Sequence, residues 1–369
     1  MENEIEIINE ARSVLALLLT PVPFVSGIET QQEVALSNGQ RADFIVNLQI
    51  GHNEIRLVCE VKKNLQPRFV FDAIRQVRDY CSYLSGEPSY PVVVSEYISP
   101  RSAEILVDQN ICYFDLAGNC RLCFENIYIE KVGEKFKSGE SRRVKSLFGL
   151  KSSRMLRLML RNSIRPWQVK ELVAKTELSL GQVSNIRRAL LDQQYAMESQ
   201  QGGIQLTQPD VLLSDWVKLY KKNIVNKASG YYSLLDPEEG LDAIKRAIAE
   251  SIEQDAGIIL NGLSAARWQA PYAKTMSDTF YADKKGAEIL KKYLVLEPVT
   301  VGPNIFIEEP KDLFVFEESV ECAPGLKCTS AIQTYLDLYV AGEREQEAAE
   351  HIKSHLLRET WGFYSEDAI

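Results

Sequence analysis

Three ionisable residues near the start of the chain have the types that a metal-dependent phosphodiesterase uses. Asp43 lies in an apolar-rich stretch, Ala42–Ile50, and Glu60 and Lys62 end the next such stretch, Ile55–Lys62. Two converging carboxylates can bind Mg²⁺, which prefers oxygen ligands, and a neighbouring lysine can orient the attacking water and stabilise developing negative charge. These types predict Asp43 and Glu60 as metal ligands and Lys62 as a catalytic residue, with Mg²⁺ as cofactor if the site is active and no cofactor otherwise.

The elements that must position these residues are two strands of a hairpin. Both stretches are apolar or alternating, and a Gly-His-Asn sequence separates them, which is typical of strands joined by a tight turn. A turn at Gly51–Glu54 pairs Ile50 with Ile55, and hence Asp43 with Lys62. Period-two alternation then places both carboxylates and the lysine on one face of the sheet, whereas a one-residue slip would scatter them.

This arrangement resembles the PD-(D/E)xK restriction-endonuclease-like superfamily, in which a D…ExK hairpin lies between two helices. Gln76-Val-Arg-Asp-Tyr80 on the following segment is similar to the QxxxY element of RecB-type nucleases, so the resemblance implies that Gln76 and Tyr80 belong to the site. It also implies an acidic residue from the first helix, Glu6 or Glu10. The alternatives are a surface Glu/Lys pair on a hairpin, or an inherited fold that does not cleave.

The rest of the first 134 residues predicts a mixed α/β domain around this hairpin. Helical periodicity is found at residues 5–18, 69–84 and 101–108, and strand-like runs at 91–94 and around 111–114. The predicted order is therefore helix, hairpin, helix, strand, helix, strand, which is a restriction-endonuclease-like α/β domain in the terms of the resemblance.

The distribution of charge sets one part of the chain apart. The net charge is −9, yet residues 135–192 carry 14 Lys/Arg against 4 Asp/Glu. A basic block inside an acidic chain is typical of a module that binds phosphate groups. Residues 135–150, which lack periodicity and include Arg142 and Arg143, are predicted to be a basic linker that can also contact DNA.

Residues 151–208 have the pattern of a winged helix-turn-helix. Helices are predicted over Ser152–Asn162, over Trp167–Lys175 with Pro166 in the first turn, and over Leu180–Gln194 with Ser179 as N-cap. Gly202-Gly203 is predicted to turn a wing hairpin between residues 195–199 and 204–206.

The start of the third helix carries groups that can read DNA. Its outward face and its N-cap supply hydroxyl, amide and guanidinium groups, which bind base edges and phosphates; the residues are Ser179, Gln182, Ser184, Asn185, Arg187 and Arg188. The alternative is a winged helix, or a polar three-helix bundle, that only docks onto protein. The charge and the polar face favour double-stranded DNA.

Several other classes of protein and of site are disfavoured. No apolar run approaches the ~20 residues that span a bilayer and the N-terminus is acidic, so a cytoplasmic protein without a membrane partner is expected. The seven cysteines are predicted to be small buried hydrophobes, and Cys120-Arg-Leu-Cys123 lacks a second ligand pair for zinc. His351 and His355 are predicted to lie on a solvated helix face.

Residues 209–369 are predicted to form a mixed α/β domain. Gly257–Ser264 is typical of a strand, a glycine turn and a helix, an arrangement that nucleotidyltransferases use. Those enzymes also need closely spaced metal carboxylates, which Asp278 and Asp283 do not supply. A scaffold or dimerisation domain is the favoured interpretation, and a homodimer is one assembly it allows.

Taken as a whole, the chain resembles the AbiEi-type antitoxins and transcriptional regulators of type IV toxin–antitoxin systems. The segments that carry the resemblance are Ile111–Asn119, Arg165–Val173, Ser179–Ser184, Val211–Trp216, Ser330–Leu338 and Glu347–His351. The resemblance implies a repressor of its own promoter and a nucleotidyltransferase toxin as functional partner, neutralised without a stable complex. The expected function is therefore a DNA-binding regulator, with a Mg²⁺-dependent nuclease targeted by the winged helix as the alternative and a pure interaction scaffold as a third.

The sequence therefore predicts an α+β multidomain protein. Its parts are a restriction-endonuclease-like domain (1–134), a basic linker (135–150), a winged helix-turn-helix (151–208) and an AbiEi-like C-terminal domain (209–369).

Overall fold

The chain has a mixed α+β fold with several sheets, as the sequence predicts. The computed structural model describes residues 2–36, 39–63, 65–133, 147–199, 202–223, 228–272 and 275–362. It divides into two compact units: the first comprises residues 1–143 and 191–194, and the second comprises residues 144–190 and 195–369. Within the described ranges, no helix combines the length and the apolar character needed to cross a membrane.

The first unit is a seven-stranded mixed sheet with helices on both faces. Its elements in chain order are α1 (Glu2–Leu19), β1 (Val25–Ala35), β2 (Arg41–Ile50), β3 (Asn53–Lys62), α2 (Pro67–Ser82), β4 (Ser89–Ser95), α3 (Pro100–Asp108), β5 (Cys112–Asp115), β6 (Cys120–Phe124) and β7 (Ile127–Lys131). The strands follow one another in sequence order across the sheet. The β3–β4 and β4–β5 pairs are parallel, and the others are antiparallel.

Side-chain alternation along the central strands divides the core in two. Phe44 and Cys59 point to the face that α1 covers with its apolar stripe, which includes Leu15. Ile45 and Val58 point to the other face, which is covered by α2 and includes the buried residues of α3. Because the central strands are buried on both faces, their sequences are nearly continuous apolar runs.

The β2–β3 hairpin has a tighter turn than the sequence analysis predicts. Ile50 pairs with Asn53 rather than with Ile55, so the loop is only Gly51-His52, and Gly51 has a φ of +58°, which glycine adopts without steric cost. The predicted register is therefore wrong by two residues. Since side chains alternate with period two, a shift of two leaves each side chain on its predicted face.

The second unit begins with three helices and a short hairpin. These are α4 (Leu150–Arg161), α5 (Val169–Thr176), α6 (Leu180–Asp192, whose last two residues are counted with the first unit), β8 (Ala196–Glu198) and β9 (Ile204–Leu206). The helices and the hairpin lie where the sequence predicts them. One detail is wrong: Trp167 is not helical, because its backbone pairs with Ile204 as an extra bridge beside the hairpin.

The end of the predicted linker belongs to the core of this unit. Leu147 and Phe148 are buried, and the Phe148 ring packs against Tyr195 and Trp216 at centroid distances of 6.4 and 6.5 Å. The predicted linker therefore ends before residue 147. Arg142 and Arg143 lie outside the described residues.

A substitution at Gly203 tests how closely the β8–β9 hairpin packs against the segment that contains Trp167. Its φ is +88°, and a Cβ there would lie 2.5 Å from the Trp167 carbonyl oxygen. We expect Gly203→Ala to destabilise the second unit by roughly 1–3 kcal/mol, measured by urea unfolding followed by tryptophan fluorescence. Gly181→Ala is the matched control, because nothing lies within 4 Å of its Cβ position; equal unfolding midpoints for the two variants would contradict the prediction.

The remainder of the second unit is built around another seven-stranded sheet. The helices are α7 (Pro209–Asn223), α8 (Pro237–Glu253), α9 (Gly262–Gln269), α10 (Lys284–Leu294), α11 (Phe314–Glu317), α12 (Ala331–Ala341), α13 (Glu343–Ile352) and, after a π-helical turn at Lys353–Leu357, α14 (Arg358–Thr360). The strands are β10 (Ala228–Tyr232), β11 (Ile258–Leu260), β12 (Asp278–Ala282), β13 (Glu297–Pro298), β14 (Ile305–Glu308), β15 (Val320–Ala323) and β16 (Leu326–Cys328). Their order in the sheet is β13-β10-β14-β12-β11-β16-β15.

The cysteines only partly follow the prediction of burial. All seven are free thiols, but Cys123 is exposed and Cys81 and Cys322 are half-buried. Among the described residues, no cluster of three or more His, Cys, Asp and Glu could hold a metal ion.

Candidate functional site

The five residues predicted for a nuclease site are neighbours in the first unit. Lys62 Nζ lies 2.6 Å from Glu60 Oε1 and donates to Gln76 Oε1 at 3.0 Å. Gln76 Nε2 in turn contacts the Tyr80 hydroxyl at 2.5 Å. Asp43 accepts a hydrogen bond at 2.6 Å from the backbone N–H of the residue after Glu60. Residues from two strands and one helix therefore form one connected polar cluster.

Local sequence explains why these side chains meet. Glu60 and Lys62 alternate with apolar residues of β3. Phe44 pairs with Cys59, so the preceding residue of β2, Asp43, lies across from Glu60. Gln76 and Tyr80 are one helical turn apart and lie at the edge of the apolar stripe with which α2 covers the same face. Residues four apart share a helix face, so both reach the strand residues.

Glu60 is the most strongly perturbed member of the cluster. The residue is only 3% exposed, and burial together with the neighbouring Asp43 carboxylate raises its pKa to about 7, although Lys62 opposes the shift. Burial, reinforced by the two nearby carboxylates, also raises the pKa of Tyr80. A carboxyl group with a raised pKa beside a second carboxylate is the arrangement expected where a cation would relieve their repulsion.

The donor set fits a divalent cation that keeps part of its water shell. Among the described residues, the buried Glu60 Oε2 has no hydrogen-bond partner. An unsatisfied acceptor oxygen therefore lies beside Asp43. Mg²⁺ is typically bound by one or two carboxylates and several waters. Two protein carboxylates are therefore enough for Mg²⁺, although they would not make a closed metal cage.

Of the two acidic residues expected from the first helix, Glu10 is not brought to this cluster, and the side chain of Glu6 lies outside the described residues. The apolar stripe of α1 packs on the sheet face opposite to Glu60, and Glu10 is exposed. Sequence spacing alone could not reveal this, because it does not say which face of the sheet a helix covers.

A residue of the Ile111–Asn119 motif supports the neighbouring strand ends. Asp115 is fully buried and accepts hydrogen bonds from the backbone N–H groups of Ile98, Gly118 and Asn119 at 2.8–2.9 Å. It fixes the turn after β5 and the loop after β4. The motif therefore has a structural role. It lies next to the ends of β3 and β4, where Lys62 pairs with Ser95.

The predicted DNA-reading face lies on α6 in the second unit. Ser184, Asn185 and Arg188 are exposed, whereas Val183 and Ile186 are buried. The helix therefore presents one polar side outward and packs its apolar side inward, as its periodicity predicts.

Two residues of this predicted face also stabilise the helix start. The Gln182 backbone N–H donates to Ser179 Oγ at 3.3 Å, and the Ser179 backbone N–H donates to Gln182 Oε1 at 2.9 Å. This reciprocal pair is a capping box, which satisfies two N–H groups that the helix itself cannot. Arg187 is also occupied, since it forms a 2.7 Å ion pair with Glu198 of the hairpin.

Several cations of the basic block have structural rather than DNA-binding roles. Arg154 makes a two-pronged contact with Asp312 at 2.7 and 3.1 Å, and the buried Arg157 pairs with Glu318. Arg161 donates to the Glu318 carbonyl at 3.4 Å. These arginines join α4 to the rest of the second unit, so part of the positive charge of the basic block is neutralised within the protein.

Sequence reasoning missed a buried polar cluster in the second unit. Asp337 Oδ1 accepts hydrogen bonds from Tyr220, Tyr281 and Gln333 at 3.1, 2.9 and 2.8 Å. Burial raises the pKa of Asp337 to about 7, although these donors oppose the shift. Its members come from three distant elements, so no local spacing could have revealed it.

The glycine turn predicted at Gly257–Ser264 is present, but its polar residues are occupied. Ser264 Oγ donates to Asp278 at 3.1 Å, and Arg267 pairs with the same carboxylate at 2.9 Å. Asp283 caps α10 through Gly286. These contacts give both aspartates structural roles.

Part of the chain is similar to a known family. Residues 205–358 match the family model described as transcriptional regulator, AbiEi antitoxin, type IV TA system. The match begins in β9, covers most of the second unit, and excludes the first unit and the three helices before it. No significant match is found among curated proteins or among solved structures.

Proposed function

We propose that this protein is a DNA-binding transcriptional regulator of a type IV toxin–antitoxin system. The single observation that carries the proposal is the match of residues 205–358 to the AbiEi antitoxin family of regulators. Residues 150–206 are its winged helix, with α6 as the recognition helix and the β8–β9 hairpin as the wing. A nucleotidyltransferase toxin is its functional partner, and the regulator acts in the cytoplasm on double-stranded DNA.

The surface of α6 supports this role. Exposed Ser184 and Asn185 can donate to and accept from base edges in the major groove. Exposed Arg188 and Lys175 supply positive charge, and neither forms an ion pair within the described part of the chain. The neighbouring α4 arginines are not needed for this surface, because they are held by Asp312 and Glu318.

Removal of the Arg188 charge tests the proposal directly. We expect Arg188→Ala to weaken binding to duplex DNA from the gene's upstream region about tenfold at low salt, and to make the salt dependence shallower by about one unit of slope. The measurement is a salt-titrated fluorescence anisotropy assay.

Arg246→Ala provides the control, because Arg246 is an exposed arginine on α8, a helix outside the proposed winged helix. If the unaltered protein binds no duplex at low salt, or if both variants lose affinity equally, the recognition helix is misassigned. A promoter reporter that does not respond to the protein would exclude the repressor role.

A second candidate function is a Mg²⁺-dependent DNA nuclease in the first unit. The observation that favours it is the connected cluster of Asp43, Glu60, Lys62, Gln76 and Tyr80. The five residues have the types, order and common face of the D…ExK and QxxxY elements. In this reading, residues 1–134 are a restriction-endonuclease-like domain and the winged helix delivers it to DNA.

Each protein group has a distinct task in that reaction. Mg²⁺ bound by Asp43 and Glu60 would supply Lewis-acid polarisation of the phosphate. Lys62 places its ammonium beside the scissile phosphate, where it offsets negative charge as the P–O bond breaks. Gln76 accepts from Lys62 and is itself held by Tyr80, so the pair orients the ammonium group.

A further inference from the structure

Two cysteine thiols of the second unit are joined by a hydrogen bond. Val320 of β15 pairs with Cys328 of β16, so Cys322, two residues further along β15, is a diagonal neighbour of Cys328. A side-chain hydrogen bond links the two sulfur atoms. Cys322 Sγ donates to the Leu326 carbonyl at 3.6 Å, so Cys328 is the donor of the bond between the thiols. The hairpin therefore holds two free thiols in contact.

The backbone around Cys322 leaves this residue able to move. β15 is the last strand of its sheet, and its pairing register with β16 shifts between Glu321 and Ala323. Cys322 is therefore the extra residue of a β-bulge, which lies outside the regular ladder. A disulfide needs its two Cα atoms closer together than diagonal strand positions usually are. An extra residue at a sheet edge can make that approach without breaking a backbone pair.

The two thiols differ in access and in reactivity. Cys322 is half-buried, whereas Cys328 is fully buried in the apolar core of the sheet. The hydrogen bond from Cys328 lowers the pKa of Cys322, and the same bond together with burial raises the pKa of Cys328. Because the thiolate is the nucleophilic form of cysteine, Cys322 is the thiol that reacts first with an oxidant. The Gln269 side chain donates to Cys328 Sγ at 3.2 Å and holds the second thiol in place.

We propose that Cys322 and Cys328 are a peroxide-sensitive dithiol, which closes reversibly to a disulfide. The Cys322 thiolate attacks one oxygen of hydrogen peroxide, the O–O bond breaks, and the released hydroxide takes up a proton to become water. The Cys328 sulfur then attacks the sulfenic sulfur of Cys322, the S–O bond breaks, and the leaving hydroxide takes the Cys328 proton. Two thiols are oxidised to one disulfide, and one peroxide is reduced to two waters. This inference is independent of the regulator and nuclease proposals.

The test uses the full-length reduced protein, treated with hydrogen peroxide and then with an alkylating reagent that blocks the remaining thiols. Lys327 lies between the two cysteines, so trypsin releases them on separate peptides, residues 312–327 and 328–344. A disulfide joins these peptides into one species that is lighter than their sum by two hydrogen atoms. We expect mass spectrometry to detect this species after peroxide treatment. It should be lost on reduction with dithiothreitol and absent in Cys322→Ser.

Cys328→Ser isolates the first step of the reaction. Without the second thiol, Cys322 should stop at the sulfenic acid, which dimedone labels, whereas the unaltered protein should give the disulfide and little label. Cys328 is fully buried, and where its replacement prevents folding, the unaltered protein and Cys322→Ser still decide the outcome.

Cys123→Ser is the matched control, because Cys123 is an exposed free cysteine of the first unit. We expect it to give as much linked peptide as the unaltered protein. The inference is overturned if peroxide oxidises Cys123 in the unaltered protein while the linked peptide does not form. It is also overturned if a non-reducing gel shows that the link joins two chains rather than two residues of one chain.

Discussion

Replacing Lys62 with methionine should reduce Mg²⁺-dependent DNA cleavage by at least about 100-fold. The basis is geometric: Lys62 Nζ lies between Glu60 Oε1 and Gln76 Oε1, at 2.6 and 3.0 Å. Loss of one preorganised group that stabilises transition-state charge typically costs 10²–10³ in rate. The measurement is single-turnover cleavage of labelled single-stranded and duplex DNA in Mg²⁺ and in Mn²⁺.

Lys63→Met is the matched control for this substitution. Lys63 is the next residue, is exposed, and follows the last residue of β3. Its replacement therefore removes one positive charge from the same part of the chain without changing a residue of the cluster. We expect it to cleave at the rate of the unaltered protein. Identical cleavage by the Lys62 and Lys63 variants, or none by the unaltered protein, would remove the nuclease from consideration and leave the regulator.

Replacing Arg157 with leucine should produce the largest loss of stability. Arg157 is 3% exposed and contacts Glu318, Ser153 and Gln333. Removing one partner of a buried ion pair leaves the other charge buried and uncompensated, which costs about 3–5 kcal/mol. All four tryptophans lie in the second unit, at 167, 216, 268 and 361, so tryptophan fluorescence during urea unfolding reports on that unit.

A second substitution separates the buried charge from lost packing. The Arg157→Leu, Glu318→Leu double variant removes both charges, and we expect it to regain part of the lost stability, because apolar replacement of a buried pair is often neutral. Arg188→Ala, an exposed arginine on α6, should change unfolding by less than about 0.5 kcal/mol. If Arg157→Leu unfolds no more easily than Arg188→Ala, the proposed role of the buried pair is wrong.

The cluster of the first unit could be predicted because its residues obey a local rule. Alternation along β2 and β3 fixed the face of Asp43, Glu60 and Lys62, and a two-residue error in the turn did not change it. By contrast, β1 was not predicted. Its sequence is polar and half exposed because it is the edge strand, and an edge strand has too little burial to show clean alternation.

Contacts between distant parts of the chain could not be predicted. The basic block predicts a module that binds phosphate groups, yet Arg154 and Arg157 within it contact Asp312 and Glu318, which lie more than 150 residues further on. Periodicity placed these arginines on a helix but gave no information about what packs against it. Composition therefore indicated the charge of the segment, and only the tertiary structure shows where that charge is neutralised.

The capping box at the start of α6 limits how a DNA preference there could change. Gln182 Oε1 holds the Ser179 backbone N–H, so any replacement at position 182 must still supply an acceptor at the same reach, and glutamate is the other residue that commonly does so. Exchanging Gln for Glu would keep the helix start but replace two amide donors with an anion facing DNA. If α6 enters the groove as proposed, new specificities should arise at Ser184, Asn185 and Arg188, while position 182 changes little among regulators that share this helix start.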